Sequence, residues 1–219
     1  MRRDAYAWSL LVIGLAMGSG AQACSVPASY RAPTTMQLVE RADAIVLARV
    51  VDGGPIKYEP AARFGVRSAR LVPFAAIKGE YAGHRIIFDD AALENVHAGL
   101  KVAASDPRNL VDANPDAFSG SCNRVAFRHG MILVAFLKKD KGNLVPFAPA
   151  FSRALEDVPT PNALWVKAVR MYAAIAKKPK SIRRSEMRRQ RDLLRFQLQD
   201  ADARLLALEL DRALQEQNR

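Results

Sequence analysis

The sequence predicts a mainly β domain followed by an α-helical extension. Two patterns predict this. Short β-branched or apolar runs, most of them closed by a turn signal, recur between residues 44 and 147. After Pro159 the apolar residues change to three- and four-residue spacing. The composition fits: of 219 residues, 50% are apolar and 25% charged, the balance of a soluble globular chain. It argues against a disordered chain, a collagen and a disulfide-dense mini-protein. The length suits one domain plus an appendage.

The elements follow in chain order. Arg2 and Arg3 precede an apolar run from Trp8 to Met17, then Gly18-Ser19-Gly20 and Ala21-Gln22-Ala23. A basic start, a short apolar core and a small-x-small triplet are the parts of a secretory signal peptide. The apolar run is shorter than the roughly 20 residues a membrane span needs. Residues 1–23 are therefore expected to be removed, and the exported chain, periplasmic or secreted, starts at Cys24. A cysteine at that place also fits a lipoprotein signal in which Cys24 carries lipid, although Gln22 fits that signal poorly. Export implies an oxidising compartment, where the two cysteines, Cys24 and Cys122, are expected to pair. Closing a loop of about 100 residues is worth roughly 4–5 kcal/mol in chain-entropy terms.

Residues 24–158 form the expected β domain. Ala44 to Val51 is the first strand, stopped by Asp52-Gly53-Gly54. Residues 66–77 are the second, with an edge or bulge expected at Pro73. Arg85-Ile86-Ile87-Phe88 is the third, closed by Asp89-Asp90. Met131 to Leu137 and Leu144 to Phe147 are the fourth and fifth, joined as a hairpin by Lys141-Gly142-Asn143. Five such strands suggest a small barrel or sandwich. Ala91 to Gly120 lacks strand periodicity, so a short helix near Ala91–Ala98 and a surface insertion are expected there.

Residues 160–219 are the helical extension. Thr160 as N-cap and Pro161 as first helical residue open one helix. Its apolar stripe is Trp165, Val169, Tyr172 and Ile175, and Lys177-Lys178-Pro179 ends it. A second helix is expected from about Ser181 to Gln217, because no Gly or Pro interrupts it. Leu194, Leu198, Ala201, Leu205 and Leu208 form a coiled-coil-like seam along it, with Leu206, Leu210, Ala213 and Leu214 as an adjacent stripe. The net charge of +11 is concentrated here: residues 167–195 hold 11 basic and 2 acidic side chains. Arg183, Arg184, Arg188, Arg189, Arg191 and Arg195 are expected to form one solvated basic surface, with only Glu186 and Asp192 nearby in sequence.

Several short segments together resemble the netrin-like module, and within it the tissue inhibitors of metalloproteinases and their bacterial relatives. Cys24-Ser25-Val26-Pro27 resembles the family's opening Cys-x-Cys-x-Pro, and residues 42–51 its first strand. Ile77-Lys78-Gly79 resembles the end of its second strand. Gly120-Ser121-Cys122 with Gly130-Met131-Ile132-Leu133-Val134 resembles its Cys…Gly-x-x-Tyr-Leu-Val segment, and Phe151-Ser152-Arg153 its Cys-Ser-Arg. The resemblance covers residues 24–155 and implies a five-stranded OB-type (netrin-like) β-barrel, with the two helices outside it. Val26 and Phe151 stand where the family has two mutually bonded cysteines, so an apolar contact is expected to replace that bond. The retained pair, Cys24 and Cys122, matches the family's other bond. In the inhibitors the N-terminal amine and carbonyl bind a protease zinc and the next side chain enters the specificity pocket; Cys24 and Ser25 hold those positions.

No catalytic motif is present. His84, His97 and His129 stand in no metal-ligand spacing, and Ser121 lacks a nucleophile setting. Asp89-Asp90 reads as a solvated strand end. No enzyme, metal site or cofactor is expected. Nucleic acid is not expected either, since the barrel is near neutral and lacks aromatic-basic interleaving. The expected function is a non-catalytic binding module of the bacterial cell envelope. Its expected partners are a protein, an anionic lipid or acidic envelope polymer on the basic helices, and a second copy through the C-terminal helix. The alternative is a metalloprotease inhibitor acting through Cys24. Alkylation of the exported protein under non-reducing conditions is expected to label neither cysteine; two labelled thiols would overturn both the pairing and the compartment.

Overall fold

The computed structural model describes residues 26–56, 63, 65–84, 86–88 and 91–216. Cys24, Ser25, Arg85, Asp89 and Asp90 lie outside the described residues. The chain is mainly β with an α extension, built on one curled mixed sheet. Its strands are β1 (Ala44–Pro55), β2 (Arg67–Lys78), β3 (Ala92–Leu93), β4 (Ala126–Phe127), β5 (Ile132–Asp140), β6 (Asn143–Pro146) and β7 (Leu155–Val158). The order is β4-β3-β2-β1-β5-β6, and β7 shares the edge of β5 with β6. All pairs are antiparallel except β3 with β4. There are thus seven strands among the described residues where five were expected.

The central strands form where β-branched and small apolar residues run without interruption. Ala44 to Ala48 and Leu133 to Leu137 are buried at every position, the pattern of strands covered on both faces. Pro73 sits at a bulge, as expected: Leu47 pairs with Ala75 and Ala48 with Pro73, leaving Phe74 unmatched. Gly79 closes β2 at φ +67, and a Cβ there would meet the Asp43 carbonyl oxygen at 2.4 Å, so only glycine fits. Lys141 and Gly142 both have positive φ, as the two-residue turn between β5 and β6 requires. The expected strand over residues 85–88 is reduced to a bridge. Ile86 pairs with Leu144, and Ile87 N–H donates to the Leu144 carbonyl at 2.9 Å, which carries the curl past β6.

Among the described residues, four α-helices cover one face of the sheet. The first, α1 (Thr35–Arg41), was not expected, yet its signal is in the sequence. Thr34 and Gln37 form a capping box, each side chain bonded to the other's backbone N–H. Next, α2 (Leu164–Ala176) begins later than Thr160 would have it; Thr160 instead shapes the preceding turn, accepting from Asn162 N–H at 3.3 Å. Its stripe of Trp165, Val169, Tyr172 and Ile175 is buried as expected.

The expected long helix is two helices, α3 (Lys180–Arg195) and α4 (Ala201–Glu216), so the extension has three helices rather than two. Asp200 accounts for the break. Its Oδ1 accepts from Asp202 and Ala203 N–H at 2.8 and 3.1 Å, an N-cap that starts α4 afresh. The break also abolishes the coiled-coil seam. Leu198 and Leu208 are exposed, and the adjacent stripe of Leu206, Leu210, Ala213 and Leu214 is the buried one. A homodimer built on a continuous seam has no such seam to use.

One core joins sheet and helices. Ile45, Leu47, Val134 and Phe136 from the sheet pack with Leu38 and Val39 of α1, Trp165, Val169 and Tyr172 of α2, and Leu206 and Leu210 of α4. A second core fills the curl, where Val46, Val50, Leu133, Ala135 and Leu137 meet Phe127, Leu93 and Leu144. The extension is therefore half of the main core, not an appendage. The helix expected at Ala91–Ala98 is absent from this segment, which holds β3 and a turn. Phe151 stacks on Phe118 at 5.4 Å and meets Tyr30 edge-on at 6.4 Å.

The segment 101–118, expected as a surface insertion, is pinned to β7 by buried polar groups. Arg124 Nη1 donates to Asp157 Oδ1 at 2.5 Å and its Nη2 to the Ala103 carbonyl at 3.0 Å. The Ser105 hydroxyl lies at hydrogen-bond distance from both Glu156 and Asp157, and Asn114 N–H donates to Glu156 at 2.8 Å. Arg153 pairs with Glu156 and donates to the Asn109 carbonyl while its guanidinium lies 4.1 Å from the Trp165 ring centre. A second buried group, Glu209, accepts from Thr35 and Tyr172 and pairs with Arg212, tying α1, α2 and α4 together. Burial pushes the Glu209 carboxyl up, with Arg212 opposing. Burial alone would raise Asp157, but the Arg124 charge and the Arg124 and Ser105 hydrogen bonds outweigh it and leave its pKa low. The Arg124–Asp157 pair therefore stabilises the fold fully above the ordinary aspartate value of 3.8 and loses its contribution as pH falls through the lower folded-state value. Arg124→Met is expected to cost about 3–5 kcal/mol in urea unfolding at neutral pH, by stranding a buried charge. The gap from wild type is expected to narrow as pH falls from 3.8, where the unfolded chain takes up the proton, through the lower folded-state value, where Asp157 becomes neutral.

Candidate functional site

The basic segment contributes to a cleft of about 440 Å³ where four elements end. Glu40 and Arg41 come from the last turn of α1, and Lys78 from the end of β2. Ala173, Ala176 and Lys177 come from the end of α2, and Lys180 and Arg183 from the start of α3. Five cations line it against one carboxylate.

Each cation has a defined task. Lys78 Nζ donates to the carbonyls of Val39 at 2.7 Å and Ala42 at 2.5 Å, with Glu40 O farther at 3.4 Å. It thereby satisfies carbonyl oxygens that the end of α1 leaves open. Burial lowers its pKa, while Asp43 and Glu40 act in the opposite direction. Arg183 does the same for α2, donating to Ala176 O at 2.7 Å and Lys178 O at 2.8 Å, and it pairs with Glu40 at 2.5 Å. Arg41 lies over the Phe147 ring at 4.9 Å, with Lys138 at 5.1 Å from the same ring centre. Lys177 and Lys180 are exposed, and no ion pair holds either among the described residues. The cleft can thus offer two free ammonium groups and one guanidinium to an anion, on a floor whose other cations are engaged by backbone.

The expected basic surface on α3 is only partly realised. Arg189 bonds Glu186 at 2.9 and 2.6 Å. Arg191 pairs with Asp192 and with Asp211, and Arg195 with Asp211 at 2.6 Å. With Glu40 on Arg183, two of the acids come from α1 and α4, elements that a count along α3 does not include. Glu186 is held down to about 2 by its Arg189 and Gln190 hydrogen bonds, so it stays ionised at neutral pH. Arg188 is exposed and makes no ion pair among the described residues. Arg184 is half-buried on the same helix.

The other sequence-derived positions are not brought together. Cys24 and Ser25 lie outside the described residues, and Cys122 is buried at φ 58. His97 and His129 are exposed, and His84 is half-buried beside the open edge of β2. Ser121 donates to the Asn123 carbonyl at 2.5 Å and shapes a turn. Among the described residues no cluster of His, Cys, Asp and Glu could hold a metal ion, and no helix is long and apolar enough to cross a membrane. Sequence reasoning missed Glu40, Arg41 and Lys78 as site residues; they are remote from the basic segment, and only the packing of α1 and of β2 against α2 brings them there. No family model, curated protein or solved structure matches the chain.

Lys78→Met is expected to lower stability by about 1.5–3 kcal/mol in denaturant unfolding, because it removes a charged donor from the α1 carbonyls. Lys177→Gln is expected to leave stability within about 0.5 kcal/mol of wild type, as for an exposed surface change.

Proposed function

We propose that this protein is an exported, non-catalytic binding module of the cell envelope, and that the cleft between α1, α2 and α3 takes a phosphate or carboxylate group of an anionic envelope component. The observation that carries the proposal is the convergence of Arg41, Lys78, Lys177, Lys180 and Arg183 around one cleft, with Glu40 already paired to Arg183. Lys78 and Arg183 are fixed by backbone carbonyls, so the floor is preorganised. The exposed Lys177 and Lys180 supply adjustable charge. Export is supported by the basic, apolar and small-residue pattern of residues 1–23. The Cys24–Cys122 bond belongs to the same proposal; burial of Cys122, with no free cysteine among the described residues, supports it. An OB-type, netrin-like ancestry is proposed with it, supported by the curled sheet and by the order of the short matching segments along residues 24–155.

The test is titration of the purified protein with polyphosphate at low and at physiological salt. Binding is expected, weakening with salt as screened charge contacts do. Lys177→Gln with Lys180→Gln is expected to reduce affinity by about ten- to thirty-fold, at about 1 kcal/mol per cation. Equal affinity of the double variant and wild type would overturn the assignment of the cleft.

A further inference from the structure

We infer that the tip of the α3–α4 hairpin is a bilayer anchor that inserts into a membrane bearing anionic lipid. Arg191 bonds Asp211 and Arg204 bonds the Leu198 carbonyl, so α4 folds back along α3 through residues 196–200, and Lys167 of α2 holds Asp202 beside this connection. Three large apolar side chains lie within six residues there: Leu193 at 46% exposure, Phe196 at 84% and Leu198 at 69%. Phe196 is the most exposed large apolar residue among the described ones. Single exposed apolar residues are ordinary, but three within six residues of chain are a concentration with a use. The core does not require them, since α4 packs through Leu206, Leu210 and Leu214.

The charge beside the tip fits a lipid headgroup layer. Residues 188–204 carry Arg188, Arg189, Arg191, Arg195 and Arg204 against Asp192, Asp200 and Asp202. Arg204 donates to the Leu198 carbonyl at 3.0 Å, so one guanidinium is tied to the apolar turn itself. The side chains of Arg189 and Arg195 are more than half exposed in spite of their ion pairs. Exposed apolar side chains with a basic excess beside them are the arrangement of a monotopic anchor, which sinks about 5–10 Å into the headgroup and acyl boundary.

Area decides against a second copy of the chain as occupant. Three side chains on a turn bury far less than the 1,200–2,000 Å², roughly, of a stable protein interface. The anchor does not depend on the cleft's ligand. Lys180 and Arg195 lie at opposite ends of α3, about 22 Å apart at 1.5 Å per residue, so one site can fail while the other stands.

The test uses the purified protein with phosphatidylcholine vesicles, with and without phosphatidylglycerol. Phe196→Trp is expected to show a blue shift in emission, over the wild-type signal, when phosphatidylglycerol vesicles are added. Phe196→Ser with Leu198→Ser is expected to weaken vesicle partition by about ten-fold or more while leaving the unfolding midpoint unchanged. Polyphosphate binding by that variant is expected to stay intact, which separates this inference from the cleft. No blue shift together with unchanged partition would overturn the anchor. So would a concentration-dependent dimer in sedimentation velocity that the double serine variant abolishes, which would assign the tip to a second copy.

Discussion

The structure depends on two strands that have no solvent face. Ala44 to Ala48 in β1 and Leu133 to Leu137 in β5 are buried on both sides, so the sheet they centre must be covered twice. Helices cover one face and the sheet's own curl covers the other, giving two cores separated by a single backbone layer. The helical extension follows from this requirement. Without α2 and α4, Ile45, Leu47, Val134 and Phe136 would face water, at roughly 1.5–3 kcal/mol for each side chain.

Covering both faces brings charged groups inside, and Arg124, Arg153 and Glu209 are each paired with an opposite charge. The long connection between β3 and β4 carries Ser105 and Asn114 against Glu156 and Asp157 at the base of β7, where Arg124 and Arg153 supply the counter-charge. Glu209 performs a similar role among the helices. Lys78 and Arg183 close the carbonyl ends of α1 and α2. Those two caps also shape the floor of the basic cleft, so helix termination and the candidate site share the same side chains. The physical link is that helix C-termini carry partial negative charge, and cations placed there are held by it.

The distribution of charge along the chain and in space are different quantities. Residues 167–195 are strongly basic in sequence, yet Arg183, Arg191 and Arg195 are met by Glu40 and Asp211 from other elements. What remains for an outside partner is Lys177 and Lys180 at one end of α3, Arg188 along it, and the exposed apolar side chains at the other end. Lys177 and Lys180 lie beside the cleft, and at the far end Arg204 bonds the Leu198 carbonyl next to the exposed Phe196. The middle of the helix is largely internal electrostatics.

The sequence by itself determined the change from strands to helices near Pro159, the buried stripe of α2, the bulge at Pro73, the turn at Lys141-Gly142 and the concentration of basic residues. These features are local: each rests on periodicity, a missing N–H, a positive φ or a count along the chain. The Thr34–Gln37 capping box and the Asp200 cap were equally local, and unbroken apolar spacing masked the second of them. Only the tertiary structure decided which leucine stripe of the last helix is buried. A cap at Asp200 resets the helix, so the register of Leu194 no longer governs Leu205 and Leu208. Only the tertiary structure placed Glu40, Arg41 and Lys78 beside Lys177, and Asp211 beside Arg195. The physical reason is that Coulomb and packing interactions depend on distance in space, and chain separations of up to 143 residues are spanned in one ion pair, Glu40 with Arg183.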